Sequence, residues 1–425
     1  VHVLIVGKSA FSRVISGVPV PISIAGHTVQ FIRPLLSYAL ERGMSVSYAY
    51  PLRASESDCL LFDPDDQLPD GVLEVPFTDP AADKSPLRLG WLSVEASVRQ
   101  AIERNGPIDW VVLASTFPLA TVLAQLKSRY GFKLALFIRG HDGYKWLDPG
   151  WVAGTVGDLD QARHVCQIYR ESLLAAEFVA VASEWLGSVV AEHGARWDAV
   201  VESPAAMVPG ESWDKSRFVA AGGLVRRRGE PDPGRNWLVS AGRLHPDKHL
   251  DLAAEMFHSA QLPDWQLVLA GAGDPDGPLD AWLDKLLDQG DACVIEVPPR
   301  MIHALFQVSD AYLQTSVPSD SFIDARPSSV TSAAFHGKPV IVPLAAAGGA
   351  EESVSAANRA EYGFDVRDLD PKDRAGRAEL LRRGTAALVR LRDEGLRQRI
   401  GAANRQHAGG SSVEAVFDRV WSQLG

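Results

Sequence analysis

Short apolar runs alternate with helical patterns along most of this chain, and that rhythm leaves few folds open. Val1 to Val6 reads as a buried strand. Thr28 to Arg42 carries apolar residues at helical spacing, and Gly43 suits the end of that helix. Strands then follow at Ser45 to Tyr50, Trp110 to Ala114, Lys133 to Ile138 and Phe178 to Ala182. Helical patterns at Val94 to Glu103, Leu119 to Tyr130 and Asp158 to Ala176 separate them. Strands that are apolar throughout, each paired with a helix, belong to a parallel sheet covered on both faces.

The rhythm breaks between about Ala205 and Arg235. Pro, Gly and the cluster Arg226-Arg-Arg-Gly-Glu-Pro-Asp-Pro-Gly gather there, which reads as a linker. The triple arginine is more simply a solvated linker than a phosphate clamp. Beyond it strands recur at Trp237 to Ala241, Gln266 to Ala270, Cys293 to Val297, Ala311 to Gln314 and Pro339 to Val342. The expected architecture is α/β, with two Rossmann-like domains whose parallel sheets face each other across a cleft. The first spans 1–205, the linker 206–235 and the second 236–405. A closing helix in 406–425, apolar at helical spacing from Val413 to Leu424, is expected to pack back towards the first domain. A length of 425 residues suits this division. In such sheets ligands bind beyond the carboxyl ends of the strands.

The net charge of -11 and the lack of a Lys/Arg-rich run exclude a general nucleic-acid binder. A small anion held by a few local cations is not excluded. Cys59, Cys166 and Cys293 form no metal or redox spacing, which suits a reducing compartment. The opening Val-His-Val-Leu-Ile-Val-Gly reads as a strand and not as a signal peptide. No apolar run nears the roughly 20 residues of a membrane span. A cytoplasmic protein is expected, and a homo-oligomer is compatible with this reading.

The candidate chemistry lies at the strand ends of the second half. Gly242-Arg-Leu-His-Pro-Asp-Lys248 follows an apolar strand and precedes an amphipathic stretch. Two cations at the mouth of a βα loop, Arg243 and Lys248, suit the charge that grows on a diphosphate leaving group. Taken alone, the same segment is equally a solvated loop. Gly271 and Gly273 end the next strand, where glycine lets backbone approach a nucleotide, although a lone Gly-x-Gly is more often a tight turn. The following strand ends at Val297-Pro-Pro-Arg300 on the same edge. Arg300 there reads more readily as a surface cation. Pro327 suits a first helical turn, and Gly337 with Pro339 suits the helix end. Ser328 and Ser329 would then present backbone N–H groups to an anion, with Arg326 beside them. An ordinary capped helix explains the same residues. Asp274-Pro-Asp276 lies in a turn and reads as that, not as a metal site.

In this order the motifs resemble the retaining, GT-B-fold glycosyltransferases of family 4. Gly242-Arg243-Leu244, Lys248, Gly271-x-Gly273, Gly337-Lys338-Pro339-Val340 and Gly348-Gly349 carry the resemblance, which is strongest from Leu238 through Glu352. In the first half Ala25-Gly26-His27, Phe137-Ile-Arg-Gly-His141-Asp142 and Ala182-Ser-Glu-Trp185 are similar to the family's glycine loop, His/Asp strand end and Ser-Glu helix start. The resemblance implies transfer from a GDP- or UDP-type nucleotide-sugar to a small-molecule acceptor, with retention and without metal or resident cofactor. It implies that Gly242, Arg243, Lys248, Gly271, Gly273, Val297, Arg300, Arg326, Ser328, Ser329 and Ser332 hold the donor's nucleotide and diphosphate. Gly26, His27, His141, Asp142, Asp324 and Ala325 would meet the donor sugar or the acceptor. Arg243, Lys248, His141 and Asp324 would take part in the chemistry.

The sequence departs from the family where a Glu-x7-Glu pair is expected, since Asp324 and Ser332 stand there. By the resemblance the first acid contacts the transferred sugar and the second the ribose hydroxyls. Serine cannot hold a diol with two charged oxygens. That departure points to specialised metabolism, with antibiotic-tailoring enzymes such as the lincosamide thioglycosyltransferases as one subclass. Two rivals remain: a non-catalytic nucleotide- or glycan-binding relative acting as a partner subunit, and a nucleotide-sugar epimerase or phosphorylase on the same scaffold. Tyr144, Trp146 and Trp151 suit an acceptor pocket or plain packing equally.

Overall fold

A computed structural model describes residues 1–7, 13–15, 18–20, 31–52, 68–78, 91–114, 119–201, 212–221, 225–242, 248–271, 281–297, 301–317, 323, 326–345, 348–370, 373–409 and 413–424. The chain divides into two compact units, Val1–Pro204 with Val413–Gly425, and Ala205–Ser412.

The first unit is built on parallel strands β1 (His2–Val6), β2 (Ser45–Ala49), β3 (Leu73–Glu74), β4 (Trp110–Leu113), β5 (Lys133–Ile138), β6 (Phe178–Val181) and β7 (Ala199–Val200), in the order β7-β6-β5-β4-β1-β2-β3. Helices α1 (Arg33–Glu41), α2 (Trp91–Asn105) and α3 (Leu119–Tyr130) accompany the earlier strands. Helices α4 (His141–Lys145), α5 (Pro149–Val156), α6 (Leu159–Ala175) and α7 (Glu184–Glu192) follow β5 and β6. Asp158 and Ser183 cap α6 and α7 through Gln161 N and Leu186 N, which fixes where these helices begin. The closing helix, Val413–Leu424, belongs to this unit. Its Val416, Phe417 and Val420 are buried against Phe31, Leu35 and Tyr38 at α1, with Phe417 and Tyr38 ring centroids 5.4 Å apart.

The second unit contains α8 (Lys215–Ala220), β8 (Val225–Arg228), β9 (Asn236–Ala241), α9 (Leu250–Ala260), β10 (Trp265–Ala270), α10 (Ala281–Asp288), β11 (Ala292–Glu296), α11 (Ile302–Val308), β12 (Ala311–Leu313), α12 (Ser328–Phe335), β13 (Val340–Leu344), α13 (Ala356–Tyr362), β14 (Gly363–Asp365), α14 (Arg374–Val389) and α15 (Glu394–Ala408). Its sheet runs β8-β11-β10-β9-β12-β13-β14, with β8 antiparallel and the rest parallel. The stretch read as a linker therefore supplies two elements of this unit, and Phe218 of α8 packs edge-on to Trp237 at 5.9 Å.

Alternate residues of the same strands feed two separate cores. Leu238, Leu267, Leu269 and Leu313 meet α9, α14 and α15 on one face. Trp237, Val239, Val268 and Tyr312 meet α11 and α12 on the other. Both faces are thus apolar, as buried parallel strands require. The start of β13 is pinned by a polar network. The Asn358 side chain bonds both Val340 N (2.9 Å) and Val340 O (2.7 Å), and Asn404 Nδ2 donates to Lys338 O and Asn358 Oδ1, each at 2.8 Å.

The chain runs β9, β10, β11 to one side and then returns to β12, β13, β14 on the other. Neighbours β9 and β12 therefore flank the switch point of the second sheet, where neighbouring loops diverge and leave a crevice.

Candidate donor site at the switch point of the second sheet

Beyond the carboxyl ends of β9 and β12 the structure forms a pocket of about 210 Å³, including the solvent at its mouth. Ser240 to Gly242, Lys248, Leu250 and Gln314 to Ser316 line it. The first strand delivers Gly242, whose φ of +156° is rare for residues with a Cβ. A Cβ there would sit 3.7 Å from Lys248 Cε, so the lysine stem runs back past this glycine. His249 adopts left-handed backbone angles (φ 48°, ψ 48°) just before α9.

Two hydroxyls tie the elements together. Thr315 Oγ1, buried at the end of β12, donates to Lys248 O at 2.7 Å. The Tyr312 phenol lies 3.1 Å from Ala241 O and 2.7 Å from Ser329 Oγ. The same phenol lies 3.3 Å from Gln314 Oε1. With one proton on the phenol, Ser329 donates to Tyr312, and Tyr312 donates to one of its two carbonyl neighbours, Gln314 Oε1 or Ala241 O. The first turn of α12 is thereby held to the end of β9. Val330 N donates to Pro327 O at 3.0 Å, while the N–H groups of Ser328 and Ser329 precede any helical acceptor and Pro327 at the cap offers no side-chain acceptor. A cation, hydroxyls and a helix start in one neighbourhood are chemically suited to phosphate oxygens.

The sequence-derived candidates divide into three groups. Gly242 and Lys248 line this pocket, and Ser329, which follows Ser328 at the start of α12, is linked to it through Tyr312. Gly271 and Val297 end the neighbouring strands on the same edge, where Gly271 N donates to Ile295 O at 2.9 Å. Arg326 and Ser332 are both buried. Arg326 is 8% exposed, and its Nε donates to Ser353 Oγ at 3.1 Å. Its Nη1 lies 3.7 Å from Glu352 Oε2, so the turn at Glu351–Ser353 takes up its charge. Ser332 is 4% exposed in the middle of α12. The third group, Gly26, His27, Arg243, Gly273, Arg300, Asp324 and Ala325, lies outside the described residues. So do Cys59 and Asp274-Pro-Asp276. His141 and Asp142 open helix α4, and their side chains also lie outside the description.

The aromatic residues near α4 pack among themselves. Tyr144 meets Trp185 at 5.5 Å and Trp146 meets Trp151 at 5.1 Å, both edge-to-face. Gln314, Thr315 and Ser316 are the pocket residues that sequence reasoning passed over. Their signal was a polar trio directly after the apolar Ala311-Tyr-Leu strand. Among the described residues no helix is long and apolar enough to cross a membrane.

Residues 225–381, which include this pocket, match the protein family described as Glycosyl transferases group 1. No curated protein sequence matches the chain. Among solved structures, sucrose-phosphate synthase from Thermosynechococcus elongatus is similar with a TM-score of 0.64 at 14% identity, over 100% of this chain and 98% of that one. HepE from Anabaena in complex with UDP gives 0.60 at 14% identity, over 100% and 99%. UGT2 of Phytolacca americana, complexed with UDP-2fluoro-glucose and pterostilbene, gives 0.56 at 14% identity, also over 100% and 99%. At this identity the likeness is one of fold. The fold is GT-B, with two Rossmann-like units in one chain, and the residues similar to the glycosyl transferases group 1 family lie in the second.

Proposed function

We propose that this protein is a glycosyltransferase that moves a sugar from a nucleoside diphosphate-sugar to a small-molecule acceptor. The observation that carries this reading is the pocket at the β9/β12 switch point, lined by Lys248 and polar strand ends inside the group 1 domain. The first unit would take the acceptor. Lys248, Arg243 and the first turn of α12 at Ser328 and Ser329 would stabilise the leaving diphosphate. A phosphate oxygen would accept the acceptor's proton on the same face, so configuration is retained and no side-chain base is obligatory. These cations can do the work of a divalent metal, so turnover is expected to persist in EDTA. HepE and UGT2 are seen with uridine nucleotides, which places UDP-sugars first in the panel, ahead of GDP-sugars.

Ser332, where the resemblance implies an acid, supports an unusual donor and a place in specialised metabolism, such as antibiotic tailoring. The same residue favours the rival reading of a nucleotide-binding partner subunit without catalysis. Turnover decides between them. The protein is incubated with UDP-, GDP- and ADP-sugars and a panel of hydroxyl and thiol acceptors, and mass spectrometry follows the products. Acceptor-dependent diphosphate release with a glycosylated product supports transfer. Diphosphate binding without consumption supports the binder, and acceptor-independent interconversion of donors supports an epimerase.

A further inference from the structure

The end of β12 carries two buried polar groups that the protein itself leaves unsatisfied. Gln314 is 4% exposed and Ser316 7% exposed. Both line the pocket that Lys248 also lines. Neither Gln314 Nε2 nor Ser316 Oγ has a hydrogen-bond partner. Thr315 between them does have one, the Lys248 carbonyl. The strand end is therefore not simply slack: Thr315 is bonded within the protein, Gln314 is bonded through its carbonyl oxygen alone, and the Gln314 nitrogen and the Ser316 hydroxyl are left for something else.

Buried polar side chains nearly always find partners, and an unpaired one costs stability that an apolar residue of the same shape would recover. Two such groups beside one pocket are best explained by a ligand. The orientation of the Gln314 amide indicates which kind. Its Oε1 lies 3.3 Å from the Tyr312 hydroxyl, and its nitrogen has no protein acceptor. An amide nitrogen donates only, a hydroxyl can donate, and the ammonium of Lys248 donates and is positive. Among the described residues, no acidic side chain lines the pocket. A set of donors with one cation and no carboxylate selects an oxyanion over a cationic or apolar group.

We infer that Gln314 Nε2 and Ser316 Oγ are ligands for the phosphate oxygens of the nucleoside diphosphate, beside Lys248. The inference rests on the proposed glycosyl transfer for the identity of that anion. It adds two residues from the segment just after β12 to the site and gives their burial a purpose. Gln314 holds its place at the expense of stability in the free protein and recovers it on binding.

The test is calorimetry of UDP, GDP and ADP, of the corresponding nucleosides and of pyrophosphate. The proteins are the wild type, Gln314→Leu and Ser316→Ala, with melting temperatures of each free protein. Leucine keeps the volume of the side chain and removes the unpaired nitrogen. Tyr312 retains the Ala241 carbonyl as its acceptor. Each variant is expected to bind the diphosphate about tenfold more weakly, as for the loss of one charge-assisted bond. Nucleoside affinity should stay within a factor of about two, since the nucleoside carries no phosphate for these residues to hold. Free Gln314→Leu should melt at or above the wild-type temperature. Unchanged diphosphate affinity in both variants overturns the inference and leaves the glycosyltransferase reading standing. A loss of affinity accompanied by a lower melting temperature of the free protein also overturns it, because the residues are then structural. A wild type that binds none of the diphosphates overturns both.

Discussion

Thr315 donates a 2.7 Å hydrogen bond to the carbonyl oxygen of Lys248, joining the last residues of β12 to the loop that opens α9. The two belong to opposite sides of the switch point. The bond therefore sets how far Lys248 stands from the neighbouring strand, and it is made by a side chain 2% exposed to solvent.

Thr315→Val keeps the shape and removes the donor. Stability should fall by about 1 kcal/mol, the usual net worth of one such bond with the acceptor left wanting. Diphosphate affinity should fall more than the stability change suggests, because Lys248 loses its tether. Urea unfolding and calorimetry with UDP on the same preparation check both parts. Unchanged affinity would show that Lys248 is positioned by other contacts.

Ser332→Glu tests whether the site has only lost an acid. At 4% exposure Ser332 has little open space around it. A carboxylate there has to be buried or displace its neighbours, and an uncompensated buried charge costs several kcal/mol. The variant should melt lower and bind nucleoside diphosphate no more tightly than the wild type. Tighter binding at an unchanged melting temperature would instead show that a ribose-facing space stands ready for the acid.

The second unit should lose stability in mild acid. His303 and His336 face one another with ring centroids 5.9 Å apart, and His303 Nδ1 and His336 Nε2 are buried without partners. Burial pushes both imidazoles down to about 4, helped at His336 by His303, Lys338 and Arg405. Lys338 is itself pushed down to about 8 by burial, with Asp310 opposing and Arg405 and Lys215 adding to the fall. An unfolded histidine titrates near 6.5, so between about 6.5 and 4 the unfolded chain binds more protons than the folded one. The stability these two imidazoles contribute is then complete above pH 6.5 and declines as pH falls towards 4. The loss is at most about 3 kcal/mol per imidazole, and less for the more exposed His336. Urea midpoints from pH 7.5 to 4.5 measure it, and His303→Phe should flatten the curve. A wild-type midpoint constant over that range would contradict the burial argument.

Asn404→Leu should be among the more damaging single changes in the second unit. It removes the donors to Lys338 O and Asn358 Oδ1 and the acceptor for Ser355 N, around the fully buried side chains of Asn358 and Asn404. Stranded backbone groups at the start of β13 should cost about 2–4 kcal/mol in urea unfolding. A change below about 1 kcal/mol would mean that water or relaxation replaces the network.

The fold was legible where strands are buried on both faces, because each residue of a run such as Trp265–Ala270 must then be apolar or internally bonded. It was illegible at 212–228. There Phe218 is buried by Trp237, and β8 joins the sheet as an antiparallel edge, a position that imposes no apolar pattern. The contacts of Arg326 are likewise absent from the local sequence pattern. Arg326 stands next to a helix start in the sequence, yet its guanidinium is claimed by Ser353 and Glu352, more than twenty-five residues later. Gln314 and Ser316 read as the polar end of a strand. That they lie buried and unbonded is a tertiary fact, visible only once β9 and β12 are neighbours.

The most direct measurement is the affinity of UDP, GDP and ADP for the wild type and for Lys248→Ala. At least one diphosphate should bind the wild type with a Kd of roughly 1 mM or tighter. Lys248→Ala should bind it about 30-fold more weakly, corresponding to about 2 kcal/mol, with an unchanged melting temperature. A wild type that binds none of the three, or a Lys248→Ala protein that binds as the wild type does, would contradict the assignment of the β9/β12 pocket to a sugar donor's diphosphate.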